Sequence, residues 1–149
     1  MTATLIALNY KLSEMEEILR LIDFKNMFLD DDNFKNEFLD LKENFHSNLL
    51  LNTFRVGKFL KQISEKFGLF PGNTFLSYFE EKISAKLGRH ATFSDLQNKI
   101  ENGDTRFKFL YLIGSNLTTG DSVTFSHIDT PDMIISDSVR ISMNIPLIW

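Results

Sequence analysis

The sequence has no cysteine. That excludes a disulfide framework and any thiolate metal site, and it leaves the redox compartment undetermined. It has no excess of basic charge: 16 Lys and Arg stand against 20 Asp and Glu, a net charge of −4. A nucleic-acid partner, which needs a basic footprint, is therefore not expected. No apolar run approaches the roughly 20 residues that a helical membrane span requires. The opening patch Leu5-Ile6-Ala7-Leu8 lacks a basic n-region and a cleavage site, so it does not read as a signal peptide, and a cytoplasmic location is favoured. There is no internal repeat and no low-complexity linker.

What is present describes an ordinary globular chain. Over 149 residues, 43% hydrophobic and 24% charged content fit one domain with a real core. The unusual count is 15 Phe, most of them between Phe24 and Phe109. Aromatic-rich helices bury a large area each. Core packing explains them first, and an acyl-chain cavity is the functional alternative.

Along the chain, Met1 to Leu8 reads as a buried helix with no cap before it, which suggests preceding sequence. Ser13-Glu14-Met15-Glu16 reads as a capping box opening a helix to about Asp23, with Met15, Ile18, Leu19 and Ile22 on one face. Asp30-Asp31-Asp32 is an acidic turn. Phe34 to Phe67 is expected to be mostly helical, with Val56, Phe59, Leu60, Ile63 and Phe67 on one stripe and Gly68 as its stop. Asn73 caps a helix carrying Leu76, Phe79, Ile83 and Leu87, ended by Gly88. Thr92 opens a shorter helix that closes near Asn102-Gly103. From Arg106 the pattern changes. Phe107 to Ser115 reads as a fully buried strand, Thr119 to Ser122 as a hairpin connection, Val123 to Ser126 as a second strand, and Ile135, Val139 and Met143 as a helix stopped by Pro146. This predicts a mixed α/β layer fold: residues 1–103 mainly helical, residues 104–149 sheet strands plus a short helix.

Chemistry is sparse. There is no Gly-x-Ser-x-Gly, the elbow a hydrolase serine needs because only small neighbours let strand and helix approach. Ser115, Asp121 and His127 are conceivable as a triad on composition, although a structural role for all three is the simpler reading. Ser122 and Ser142 are the other serines to test should this chain hydrolyse esters alone. His46, His90 and His127 are isolated, with no partner at zinc-binding spacing. The acidic run lacks the glycine and distal glutamate of a calcium loop. Asn116-Leu117-Thr118 is a glycosylation sequon whose place beside a buried strand argues against its use. Arg140 reads as a half-exposed arginine paired with Asp137 or another acid, or as an orienting group near an active site.

Several short segments, in order, resemble the patatin-like phospholipase domain. Met1 to Leu8 is similar to the helix that follows that family's nucleophile. Leu12-Ser13-Glu14-Met15-Glu16-Glu17-Ile18 and Asp23-Phe24-Lys25-Asn26 are similar to the pieces after it. Gly68-Leu69-Phe70-Pro71-Gly72 and Thr92-Phe93-Ser94-Asp95-Leu96 resemble its next turn and helix entry. Ile113 to Gly120 resembles its strand and TNLTTG turn, and Val139 to Pro146 its segment before the second catalytic residue. Ser138 and Ile141 depart from the alanines usual there.

The resemblance implies a partial three-layer α/β fold lying between the catalytic serine, expected before Met1, and the catalytic aspartate, expected after Trp149. No catalytic residue carries over. It further implies a lipid acyl hydrolase that attacks phospholipid or acylglycerol esters at a lipid surface through a serine–aspartate dyad, with no cofactor and no metal. Phe59, Phe67, Phe75 and Phe79 are then the acyl-pocket candidates. The alternatives are a non-catalytic module that keeps this scaffold, and an unrelated helical domain whose Phe-rich grooves bind partner helices.

Overall fold

The computed structural model describes residues 1–23, 36, 53–54, 56–58, 61 and 72–144. The chain divides into two compact units: residues 1–22 with 75–143, and residues 23–74 with 144–149. The acidic turn, His46, most of the helix expected over 34–67 (Phe59 and Phe67 included), residues 24–26 and 68–71 of the family-like segments, and Pro146 lie outside the described residues.

Among the described residues seven elements are defined: α1 Thr2–Ala7, α2 Leu12–Arg20, α3 Asn73–Leu87, α4 Phe93–Glu101, β1 Leu112–Ser115, β2 Ser122–Phe125 and α5 Ile135–Met143. All belong to the first unit, apart from the first two residues of α3. The mixed α/β expectation holds at that level: helices dominate, followed by one small sheet.

α1 ends where Asn9 takes a positive φ of 58°, a conformation Asn tolerates, and the Tyr10 N–H then closes onto the Leu5 carbonyl at 3.0 Å. α2 starts two residues earlier than the Ser13 box predicts. Its first turn is closed by Glu14, whose carboxylate accepts the Lys11 N–H at 2.7 Å. Lysine has no acceptor to return the bond, so only half of the reciprocal cap exists. Of the expected stripe, Met15 and Ile18 of α2 and Ile22 just past its end are buried, and Leu19 is half-buried. It packs with Leu5 and with Tyr10 and Tyr78. Tyr10 donates to the Lys82 carbonyl at 2.7 Å and Tyr78 to the Ile18 carbonyl at 2.9 Å. Burial, the largest influence on each, raises both phenol pKa values.

In α3 the buried face is Phe75, Phe79 and Ile83, at i, i+4 and i+8. The Phe75 and Phe79 rings stack at 4.6 Å. Each buried phenylalanine contributes roughly 2 kcal/mol by removing its ring from water. Gly88, at φ 103°, ends α3. α4 opens as its sequence predicts: the Thr92 hydroxyl accepts the Asp95 N–H at 3.2 Å, and Asp95 accepts the Thr92 N–H at 2.8 Å.

The sheet, among the described residues, is one antiparallel hairpin with Leu112 opposite Phe125 and Ser115 opposite Ser122. The Asn116 N–H donates to the Asp121 carbonyl and the Gly120 N–H to the Asn116 carbonyl, both at 2.8 Å. Gly120 supplies the φ of 79° that the turn requires. The expected buried strand from Phe107 is shortened and only half buried. The Lys108 N–H donates to the Ala7 carbonyl at 2.9 Å, and the ladder to β2 begins at Leu112. Phe107, Leu110 and Leu112 face the core, whereas Phe109, Tyr111 and Ile113 are exposed. α5 packs against β1. A Cβ on Gly114 would lie 2.9 Å from a Phe125 ring carbon and 3.0 Å from the Ile141 Cγ2, so this position admits only glycine without repacking.

Candidate functional site

A groove of about 690 Å³ opens in this unit, within the range of small-molecule pockets. Three stretches build it: α3 through Leu76, Glu80 and Ser84, the turn after Gly88 through Arg89 and His90, and the entry of α5 through Ile134, Ser136 and Asp137.

Local chemistry sets the geometry. Past Gly88 the chain turns back, and His90 adopts a φ of 54°. Its N–H thereby reaches the Glu80 Oε1 at 2.6 Å. The next residues pin α5 in place. Thr92 pairs with Ile134 in an isolated antiparallel bridge, and the Ile135 N–H donates to the Ala91 carbonyl at 2.9 Å. Ser136 is thus delivered to Glu80, and its hydroxyl donates to Oε2 at 2.7 Å. Ser84, one turn along α3, donates to Oε1 at 3.0 Å. The His90 Nδ1 lies 3.7 Å from the same oxygen.

Burial pushes the Glu80 carboxyl up. The His90 N–H, the Ser136 and Ser84 hydroxyls and the nearby imidazole together outweigh it and hold the group below the ordinary glutamate range. Glu80 is therefore a stable anion at neutral pH.

A serine donating to a carboxylate is the connectivity of a serine–acid dyad. Here it does not amount to one. Ser136 is only 3% exposed, and a carboxylate saturated by three donors with a depressed pKa is a weak base. The pair ties α3 to α5. A second such pair lies beyond the hairpin: the fully buried Ser126 donates to Asp129 at 2.7 Å and accepts the N–H groups of Ile128 and Asp129. This is a hydroxyl-capped turn.

The residues singled out from sequence fall elsewhere. Ser115 and Asp121 are exposed near the hairpin tip, and no hydrogen bond joins either to His127 among the described residues. His127 instead stacks on Phe109 at 4.2 Å and meets Tyr111 edge-on at 5.6 Å, with its Nδ1 buried and unpartnered. Phe75 and Phe79 are core residues at 1% and 0% exposure, and neither lines the groove. Asn116 is exposed, its Oδ1 accepting the Thr118 N–H at 3.0 Å. Ser138, fully buried, donates to the Ile134 carbonyl at 3.2 Å. Among the described residues no cluster of His, Asp and Glu is arranged to hold a metal ion, and no helix is long and apolar enough to cross a membrane.

Glu80 and Ser136 are not legible as a pair in the sequence. They stand 56 positions apart, and no spacing rule links them. Comparison with family models, with curated proteins and with solved structures returned no match.

Proposed function

We propose that this chain is an internal stretch of a patatin-like lipid acyl hydrolase. It would supply wall helices and sheet strands for a serine–aspartate site that cleaves phospholipid or acylglycerol esters. The observation that carries this reading is the order of the motifs, from the Met1–Leu8 helix through Thr92–Leu96 and Ile113–Gly120 to Val139–Pro146. Where those motifs fall on described residues, their local form agrees with the reading. Thr92 and Asp95 make the reciprocal cap, Gly120 takes the positive φ of its turn, and Ile135–Met143 is helical.

On this reading the reaction needs a serine on a strand–helix elbow, an aspartate as its general base and backbone N–H groups for the oxyanion. None of these is carried by Glu80, Ser136 or Ser126. The test is the chain joined to its flanking coding sequence, assayed on phospholipid ester with a serine-directed fluorophosphonate as the control. An in-frame Gly-x-Ser-x-Gly upstream and Asp-Gly-Gly or Asp-Gly-Ala downstream, with turnover lost on replacing that serine, supports the proposal. Flanks without either motif overturn it in favour of a non-catalytic module on the same scaffold.

A further inference from the structure

The groove around Glu80 is lined by two side chains of opposite charge that no described group of the protein engages. Arg89, on the turn after α3, and Asp137, in the first turn of α5, both line it. Among the described residues neither side chain makes a hydrogen bond or an ion pair, with the other or with any other group. The other two carboxylates of the groove are already engaged. Glu80 is satisfied by Ser136, Ser84 and His90, and Glu81 pairs with Lys82 at 2.7 Å. Leu76 and Ile134 add aliphatic surface to the same groove.

A ligand carrying one charge would meet attraction at one rim and nothing to answer the other. A ligand carrying both, joined by a short aliphatic link, answers each rim with a charge-assisted hydrogen bond. Guanidinium suits a phosphodiester or carboxylate oxygen, because its planar fork presents several donors at fixed spacing. A primary ammonium, with three donors and no acceptor, suits Asp137. We propose that this groove binds a small zwitterion, a phosphodiester or carboxylate linked to a primary ammonium, with the anion at Arg89 and the ammonium at Asp137. This chemistry is offered both by a free zwitterion and by an ethanolamine phospholipid head group. The groove's assignment stands on its own walls, and only the lipid as its source rests on the acyl-hydrolase reading.

The test is calorimetric titration of the full chain with glycerophosphoethanolamine, with ethanolamine as the cation-only control and glycerol phosphate as the anion-only control. The zwitterion is expected to bind at least about tenfold more tightly than either control, and Arg89→Gln and Asp137→Asn each to lose about tenfold in affinity, the size of one charge-assisted bond. Arg89→Gln, at an exposed turn position, keeps the thermal midpoint of the parent, and Asp137→Asn lowers it only slightly, through loss of a first-turn charge from α5. Monomeric dihexanoyl phosphatidylethanolamine then separates the sources. Tighter binding than glycerophosphoethanolamine assigns the groove to the lipid, and equal or weaker binding assigns it to a free zwitterion. No measurable binding of glycerophosphoethanolamine, equal binding of glycerol phosphate, or variants that bind like the parent would overturn the proposal. Each of those results leaves the acyl-hydrolase reading to be decided separately by the flanking sequence.

Discussion

Two buried serines in this molecule each donate to a carboxylate at 2.7 Å, and the two pairs do different work. Ser126 and Asp129 are three residues apart, and their bond closes a turn. Ser136 and Glu80 are 56 residues apart, and their bond joins two helices across a groove. Distance and chemistry are the same in both. What differs is the loop of chain each bond must hold closed and the number of other groups that depend on it. A local pair is ordered by its own turn. The distant pair exists only because the Gly88 turn and the Thr92–Ile134 bridge have already brought α5 to α3.

The sharpest way to break the comparison is to remove the acids. Glu80→Ala strands three donors, the His90 N–H and two hydroxyls, one of them on the buried Ser136. The expected loss is about 1–3 kcal/mol in urea unfolding, chiefly from the buried Ser136 hydroxyl left without its partner. Asp129→Ala leaves Ser126 still accepting two backbone N–H groups and lies at an exposed position, so it should cost under about 1 kcal/mol. If the two variants unfold at the same urea concentration, the distant pair is no more than another turn.

Gly114→Ala probes the packing of α5 on β1 rather than its hydrogen bond. The added methyl meets Phe125 on one side and Ile141 on the other, and overpacking of this kind costs about 1–3 kcal/mol. Pairing it with Ile141→Ala, which opens space for the methyl, should recover part of that loss in the same unfolding assay. A double variant that simply sums the two single losses would place the strain elsewhere.

Ser126→Ala isolates the local pair. It removes one donor and the acceptor for two backbone N–H groups, at a site closed further by the Thr130 hydroxyl accepting the Ser126 N–H at 3.1 Å. The expected cost is about 1 kcal/mol, as for loss of a helix cap. Hydrogen exchange should report it as faster exchange at Ile128 and Asp129, with the amides of α3 unchanged. Faster exchange along α3 would show that the two regions are coupled.

The same contrast explains what the sequence reveals and what it withholds. The Thr92–Asp95 cap, the Gly88 and Gly120 turns and the Met15–Ile18–Ile22 stripe are all legible, because each is decided within a few residues by periodicity, capping geometry or a positive φ. Lys11 displaces Ser13 as the α2 N-cap residue because the Glu14 carboxylate accepts the Lys11 N–H and closes the first turn there. The run Phe107–Ile113 misleads for a different reason. Unbroken hydrophobicity signals burial on both faces, yet Phe109, Tyr111 and Ile113 point outward, the first two gathered around His127. The groove, with Glu80, Ser136, Arg89 and Asp137 converging from three stretches, has no sequence signature at all, because only tertiary contacts bring those stretches together.

Acid titration draws the finest distinction. The Glu80 pKa is lowered on folding, so the unfolded state binds its proton at higher pH than the folded state does. The stability this group contributes is present in full above the unfolded glutamate value and is lost as pH falls through the depressed folded value. Between neutral pH and that window the contribution is flat, so it produces no pH dependence near pH 7. The comparison is between parent and Glu80→Gln, an isostere that can no longer titrate. Below the ordinary glutamate range the parent should lose stability more steeply than the variant, and the two urea midpoints should draw together as acid neutralises the carboxylate that distinguishes them. The Asp104 carboxyl is also depressed, to about 2, chiefly by its hydrogen bond from Arg106, but it titrates in parent and variant alike and cancels from their difference. Parallel acid curves would mean that the Glu80 charge adds nothing beyond its shape, and that the tie between α3 and α5 is held by packing rather than by an anion.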